Sequence, residues 1–198
     1  KGKDLPESPI RKLVHFAGAA KAKGIHVHHL NIGQPDISAP EEAMEVVKKN
    51  QLDLLPYGSS EGSLGYRKAL TNYYQQHGIN VSPQEIIVTT GASEALAFTL
   101  NSICDAGDDI IIPEPFYANY NGFAAAASLN VVPVISLFDD QFKLPALAEI
   151  EAKISDKTRA ILLCNPSNPT GYLYTKEEIT ALGQLALKHD LFFIVDEV

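Results

Sequence analysis

Asn165-Pro166-Ser167-Asn168-Pro169-Thr170-Gly171 is a loop by composition, and what flanks it decides the fold. Before it runs the apolar stretch Ala160–Cys164. After it comes a helical pattern, Thr175–His189, with Thr175 as N-cap and Glu178 three residues on, the spacing of a capping box. The apolar run Phe192–Val195 then ends at Asp196. Strand, helix and strand in this order make a βαβ unit, whose strands are parallel. Open parallel sheets bind ligands beyond the C-terminal ends of their strands. A proline-restricted Asn-Pro loop and a strand-end carboxylate therefore fall at one edge of the sheet, as half of a ligand site.

The same alternation extends toward the N-terminus. Strands are expected at Ile86–Thr90, Asp109–Ile112 and Val131–Ile135, with helices at Ser93–Cys104, Ala118–Ser128 and Pro145–Ile154 between them. The fold class is α/β, a three-layer α/β/α arrangement around a mainly parallel sheet with right-handed crossovers. Further upstream, Ile10–Lys23, Pro40–Asn50 and Glu61–His77 have helical patterns, and His28–Ile32 is a candidate short strand.

Composition narrows the function. The 198 residues are 45% apolar and 20% charged, as in an ordinary globular protein. A net charge of -8 and the lack of any Lys/Arg-rich run give no footprint for nucleic acid or an anionic membrane surface. The first residues have no apolar leader pattern. Cys104 and Cys164 make no disulfide framework, and read as small buried hydrophobes. The reading is a cytoplasmic protein.

Five features could carry chemistry. Two Asn-Pro pairs within four residues exceed what a turn requires, and the second can aim the Asn168 amide at a ligand. Thr90-Gly91-Ala92-Ser93 leads from strand into helix, where unpaired N–H groups and the Ser93 hydroxyl could hold a phosphate, although a serine there is also an ordinary N-cap. Asp196 ends a buried strand and is either a structural carboxylate or a ligand partner. Tyr117, in Pro115-Phe116-Tyr117, either packs or stacks on a flat ring. His26, His28 and His29 cluster without a third or fourth ligand of suitable geometry, so no metal is expected. A P-loop and a Gly-x-Gly-x-x-Gly fingerprint are both absent, which disfavours a P-loop ATPase and a nicotinamide-dependent dehydrogenase.

Taken with Asn31-Ile-Gly-Gln-Pro-Asp36, Tyr57-Gly-Ser-Ser-Glu-Gly62 and Gly65-Tyr-Arg-Lys-Ala69, these motifs resemble the class I/II pyridoxal-phosphate aminotransferases of fold type I, the family that includes aspartate aminotransferases. The resemblance implies a transaminase moving an amino group between an amino acid and a 2-oxo acid. It implies that Asp196 pairs with the pyridine nitrogen of pyridoxal 5'-phosphate, Asn168 with its phenolic oxygen near the substrate carboxylate, and Tyr117 with its ring face. Ala92 and Ser93 would take the phosphate, Gly33 would admit the substrate carboxylate, and Tyr57 would reach the phosphate of a partner subunit in a homodimer. Asn168-Pro169 and Glu114-Pro115 are expected to be cis.

By the same resemblance, residues 1–37 are an N-terminal arm with part of a small domain, and residues 38–198 are an incomplete cofactor-binding large domain. The family's Schiff-base lysine lies beyond Val198, so these 198 residues alone are expected to be inactive. A carbon–sulfur lyase of the same fold and an aminotransferase-like ligand-sensing domain of a regulator are the alternatives. A regulator should carry a helix-turn-helix upstream, whereas the first residues resemble the family's own arm.

Overall fold

The computed structural model describes residues 11–31, 33, 35–51 and 53–197. The elements in chain order are α1 (Val14–Ala22), α2 (Glu41–Lys49), α3 (Leu64–Gln76), a 3-10 turn (Pro83–Glu85), α4 (Ala92–Ile103), β1 (Asp109–Glu114), α5 (Tyr120–Ala127), β2 (Asn130–Ile135), α6 (Leu147–Glu151), β3 (Thr158–Cys164), α7 (Lys176–Lys188) and β4 (Phe192–Asp196). They form two compact units, residues 16–89 and residues 90–197 with 11–15. No helix among the described residues is long and apolar enough to cross a membrane.

The second unit is built on a four-stranded, fully parallel sheet in the order β2-β1-β3-β4. Alternate residues of a strand face opposite sides, and here both sides are buried. Ile110 and Ile112 of β1 and Ala160 and Leu162 of β3 join Leu96 and Leu100 of α4 and Tyr120 and Ala124 of α5 in one core. Ile111 of β1 and Ile161 and Leu163 of β3 join Ile150 of α6 and Leu182, Leu185 and Ala186 of α7 in the other. Helices therefore cover both faces, the expected three layers. Full burial of each such Leu or Ile contributes about 1.5–3 kcal/mol.

Topology places the ligand edge. From β1 the chain passes through α5 to β2 on one side, then through α6 to β3 on the other side of β1. Because α5 and α6 lie on opposite faces, the two crossovers share one hand, as parallel βαβ units do. The reversal of direction between β1 and β3 is a topological switch point, and a crevice opens there at the C-terminal ends of the strands.

Most element positions match the sequence reading within a few residues, and the Thr175–Glu178 capping box forms in both directions. Three readings need correction or restriction. Ile86–Thr90 is not a strand: among the described residues no ladder includes it, and the Val88 N–H bonds the Glu61 carbonyl at 3.0 Å instead. A short β-prone run makes a strand only where a neighbour supplies hydrogen bonds. His28–Asn31 is likewise not a strand, and Ile32, the end of that expected run, lies outside the described residues, as does Ile10 of the expected first helix. Helix α4 begins at Ala92 with Gly91 as N-cap, so Ser93 is its second residue and not its cap.

In the first unit, the buried Arg67 ties a turn to the 3-10 element. Its Nε donates to the Gly62 carbonyl at 3.2 Å and its Nη1 to the Pro83 carbonyl at 2.5 Å. The turn itself requires Gly62. Its φ is +90°, and a Cβ there would stand 2.5 Å from Val88 Cβ.

Candidate functional site

A cleft of about 350 Å³ opens at the C-terminal edge of the sheet, lined by Gly91, Ala92, Ser93, Leu96, Tyr117, Tyr120, Cys164, Asn168 and Asp196. Three of the four strands deliver their contribution where they end. β1 is followed by Pro115-Phe116-Tyr117, β3 ends at Cys164 and leads to Asn168, and β4 ends at Asp196. Helix α4 runs down to the start of β1, so its first turn stands at the same edge. Its N-cap, Gly91, has φ +95°, a conformation that only glycine adopts readily. The first N–H groups of a helix have no intrahelical acceptor and lie at the positive end of the dipole. Glu94 turns its carboxylate back to the Thr90 N–H at 2.6 Å, a bond that braces the entry to the helix.

Asp196 is held from two directions. Its Oδ2 accepts a hydrogen bond from the Tyr120 hydroxyl at 2.7 Å, and its backbone carbonyl accepts from the Asn165 N–H at 2.9 Å. Tyr120 is 1% exposed. Burial first, and then the bond to Asp196, push its phenol far above the usual range, so it stays a donor toward the carboxylate. Its ring meets Tyr117 edge-on, with centroids 5.5 Å apart at 90°, and stacks with Phe116 at 6.1 Å.

The two Asn-Pro pairs have different tasks. Asn165 is internal scaffolding: besides its bond to Asp196, its Oδ1 accepts from the Tyr174 N–H at 3.1 Å. The loop is closed by Ser167 N–H to Tyr172 carbonyl at 2.8 Å and Gly171 N–H to Ser167 carbonyl at 2.7 Å. Asn168 is the pair member that lines the cleft. Glu114-Pro115 and Asn168-Pro169 are cis as expected, and so is Asn165-Pro166.

Of the residues singled out in the sequence, Ala92, Ser93, Tyr117, Asn168 and Asp196 thus line one cleft. Tyr57 and Gly33 belong to residues 16–89. Tyr57 is fully exposed, and an added Cβ at Gly33 would meet nothing within 4 Å among the described residues. Besides Leu96, which belongs to the core, two cleft residues escaped the sequence reading. Cys164, read as a buried hydrophobe, is only half-buried and donates its thiol to the Pro166 carbonyl at 3.3 Å. Tyr120 sits inside a helical pattern with no local mark of its bond to Asp196.

Comparison with known proteins agrees with this architecture. The chain is 38% identical over 181 residues to the aspartate aminotransferase of Musicola paradisiaca, covering 90% of this chain and 45% of that protein. Among solved structures it superposes on an alanine aminotransferase from Pyrococcus furiosus with a TM-score of 0.91 and 32% identity, covering 100% of this chain and 51% of the other. It also matches an aspartate aminotransferase from Thermus thermophilus, solved with maleate, with a TM-score of 0.87 and 29% identity, covering 99% and 52%. The chain thus spans about half the length of the relatives it matches. Residues 25–198 match the family model described as aminotransferase class I and II, and the chain belongs to that family.

Proposed function

We propose that the protein containing this chain is a pyridoxal-phosphate-dependent aminotransferase that moves an amino group from an amino acid to a 2-oxo acid. One observation carries the reading: a carboxylate, an aromatic ring, an amide and the N-terminus of α4 line a single cleft. Those groups fit a flat ring bearing a basic nitrogen at one end and a phosphate at the other. The cofactor, when bound, supplies an electron sink for charge developing at the substrate α-carbon.

The chain's own residues then have distinct tasks. Asp196 accepts a hydrogen bond from the pyridine nitrogen and holds a proton there, while Tyr120 keeps that carboxylate in place. The N–H groups of Ala92 and Ser93, with the Ser93 hydroxyl, bind the phosphate. Tyr117 walls the ring face and excludes water, and Asn168 donates its amide to the ring oxygen close to the substrate carboxylate. Gly33 leaves room for that carboxylate. We further infer a cytosolic homodimer in which the fully exposed Tyr57 reaches the partner subunit's phosphate.

The test is amino transfer by the full-length protein with added pyridoxal phosphate, using aspartate or alanine as donor and 2-oxoglutarate as acceptor. Asp196→Asn is expected to lose most of the turnover, because an amide does not hold the pyridinium proton as a carboxylate does. The lost charge-assisted bond alone costs about 1.5–3 kcal/mol in binding. Wild-type turnover in that variant refutes the assignment. Elimination from a cysteine thioether without any 2-oxo acid, in place of amino transfer, identifies a lyase instead.

A further inference from the structure

Asparagine is among the best helix N-caps because its side-chain oxygen accepts one of the unpaired N–H groups of the first turn. Asn119 occupies the N-cap position of α5 but makes no side-chain capping bond, and its backbone is already helical, with φ -75° and ψ -12°. Its amide goes elsewhere. Nδ2 donates to the Tyr117 hydroxyl at 2.6 Å. A local preference set aside in favour of a contact with a cleft-lining residue is the kind of inconsistency that functional sites produce.

Tyr117 is half-buried, packs against the core that α4 and α5 share with the sheet, and meets the Tyr120 ring edge-on. These apolar contacts hold the body of the ring and give its hydroxyl end no directional bond. The Asn119 amide fixes that end. Together the two neighbours hold the ring as a flat wall of the cleft, and Tyr120 extends the restraint to Asp196 through its own hydroxyl.

We propose that Asn119 is a positioning residue that fixes the Tyr117 ring against the cleft and so raises the affinity for a flat heteroaromatic ligand. The proposal deepens the cofactor reading and rests on it. Asn119 touches Tyr117 and acts only through it.

The test is equilibrium titration of the full-length protein with pyridoxamine 5'-phosphate, which forms no covalent link to the protein. Asn119→Ala is expected to weaken binding about three- to tenfold, the worth of one hydrogen bond. In a Tyr117→Phe background the same substitution should change nothing, since contacts acting through one group are not additive. Unchanged affinity in Asn119→Ala, or an equal loss in both backgrounds, overturns the proposal. A purely structural role predicts an equal fall in thermal midpoint in both backgrounds with affinity intact, and that outcome overturns it too.

Failure of the unsubstituted protein to bind the probe would instead refute the cofactor reading. The restraint is then still measured by 19F NMR of protein labelled with 3-fluorotyrosine, the Tyr117 signal being identified by its loss in Tyr117→Phe. Asn119→Ala should shift or broaden that signal, and an unmoved signal overturns the proposal.

Discussion

Tyr120→Phe isolates one hydroxyl. The ring remains, so packing against Phe116 and Tyr117 is kept, and what is lost is the hydroxyl with its 2.7 Å bond to Asp196 and its weaker contact with Cys164. A hydrogen bond to a charged partner contributes about 1.5–3 kcal/mol. Asp196 is only half-buried, so water can rehydrate the released oxygen, which puts the expected loss near the lower end, about 1.5–2 kcal/mol. Urea unfolding of this chain, followed by circular dichroism, should show that difference at unchanged slope. In an Asp196→Asn background the loss should shrink, because a neutral amide is a weaker acceptor. There is also an alkaline signature. The folded phenol titrates above its unfolded value of about 10, so its stabilisation is complete below that pH and declines as pH rises beyond it. Tyr120→Phe removes that decline. A loss below about 0.5 kcal/mol, or one equal in both backgrounds, refutes the assignment of Tyr120 as the brace of Asp196.

Gly62→Ala should cost more than about 1 kcal/mol, since it combines a positive φ with a 2.5 Å approach to Val88 Cβ; Gly18→Ala, in α1 with nothing near the added methyl, should gain about 0.5–1 kcal/mol, and urea midpoints compare the two. The Glu151 carboxylate is held below its usual range by Lys188 and then His189, at 2.7 and 2.6 Å. Its stabilising contribution is therefore present above the unfolded value of about 4.3 and is lost as pH falls through the lower folded value, so Glu151→Gln should flatten the acid limb of the urea midpoint against pH. Tyr57→Phe should weaken pyridoxal phosphate retention in the full-length protein without changing its unfolding midpoint. Mixed dimers with an Asp196→Asn subunit should regain activity in one site, and no recovery in the mixture refutes the shared site.

What the sequence made legible is what is local. The run Phe192–Val195 before Asp196, the capping box Thr175–Glu178 and the Asn-Pro loop each carry their signal within a few residues, and all appear at the positions expected of them. The parallel sheet follows from alternation of strand and helix, because only a crossover can return the chain to a parallel neighbour. Ile86–Thr90 shows the limit of the same reasoning. Its apolar pattern equals that of a strand, but pairing is a property of two segments, and among the described residues none pairs with it.

The site was legible to the extent that strand ends announce themselves. Asp196 ends a strand, and Asn168 and Tyr117 stand in the loops just after one, so the sheet brings them to one edge whatever the details of packing. Sequence singled out Asn168 of the two Asn-Pro pairs, but the reason Asn165 does not face the cleft lies outside the loop's own composition. Asn165 spends its backbone and side chain on Asp196 and Tyr174, contacts made across the loop and into the next strand. Tyr120 was further out of reach. Its partner lies 76 residues away, and at its own position it satisfies a helical apolar pattern completely. A buried hydroxyl must still find an acceptor, so any Tyr on the core face of a helix beginning at a ligand edge implies a polar partner at that edge. Here Tyr120, the first residue of α5, lines one cleft with the ends of β3 and β4 and the loop after β1, and the only carboxylate among the cleft residues is Asp196. Burial of the phenol and exposure of the carboxylate to the cleft are thus one arrangement: the helix supplies the donor from the core side and leaves the other face of Asp196 open to whatever the cleft holds.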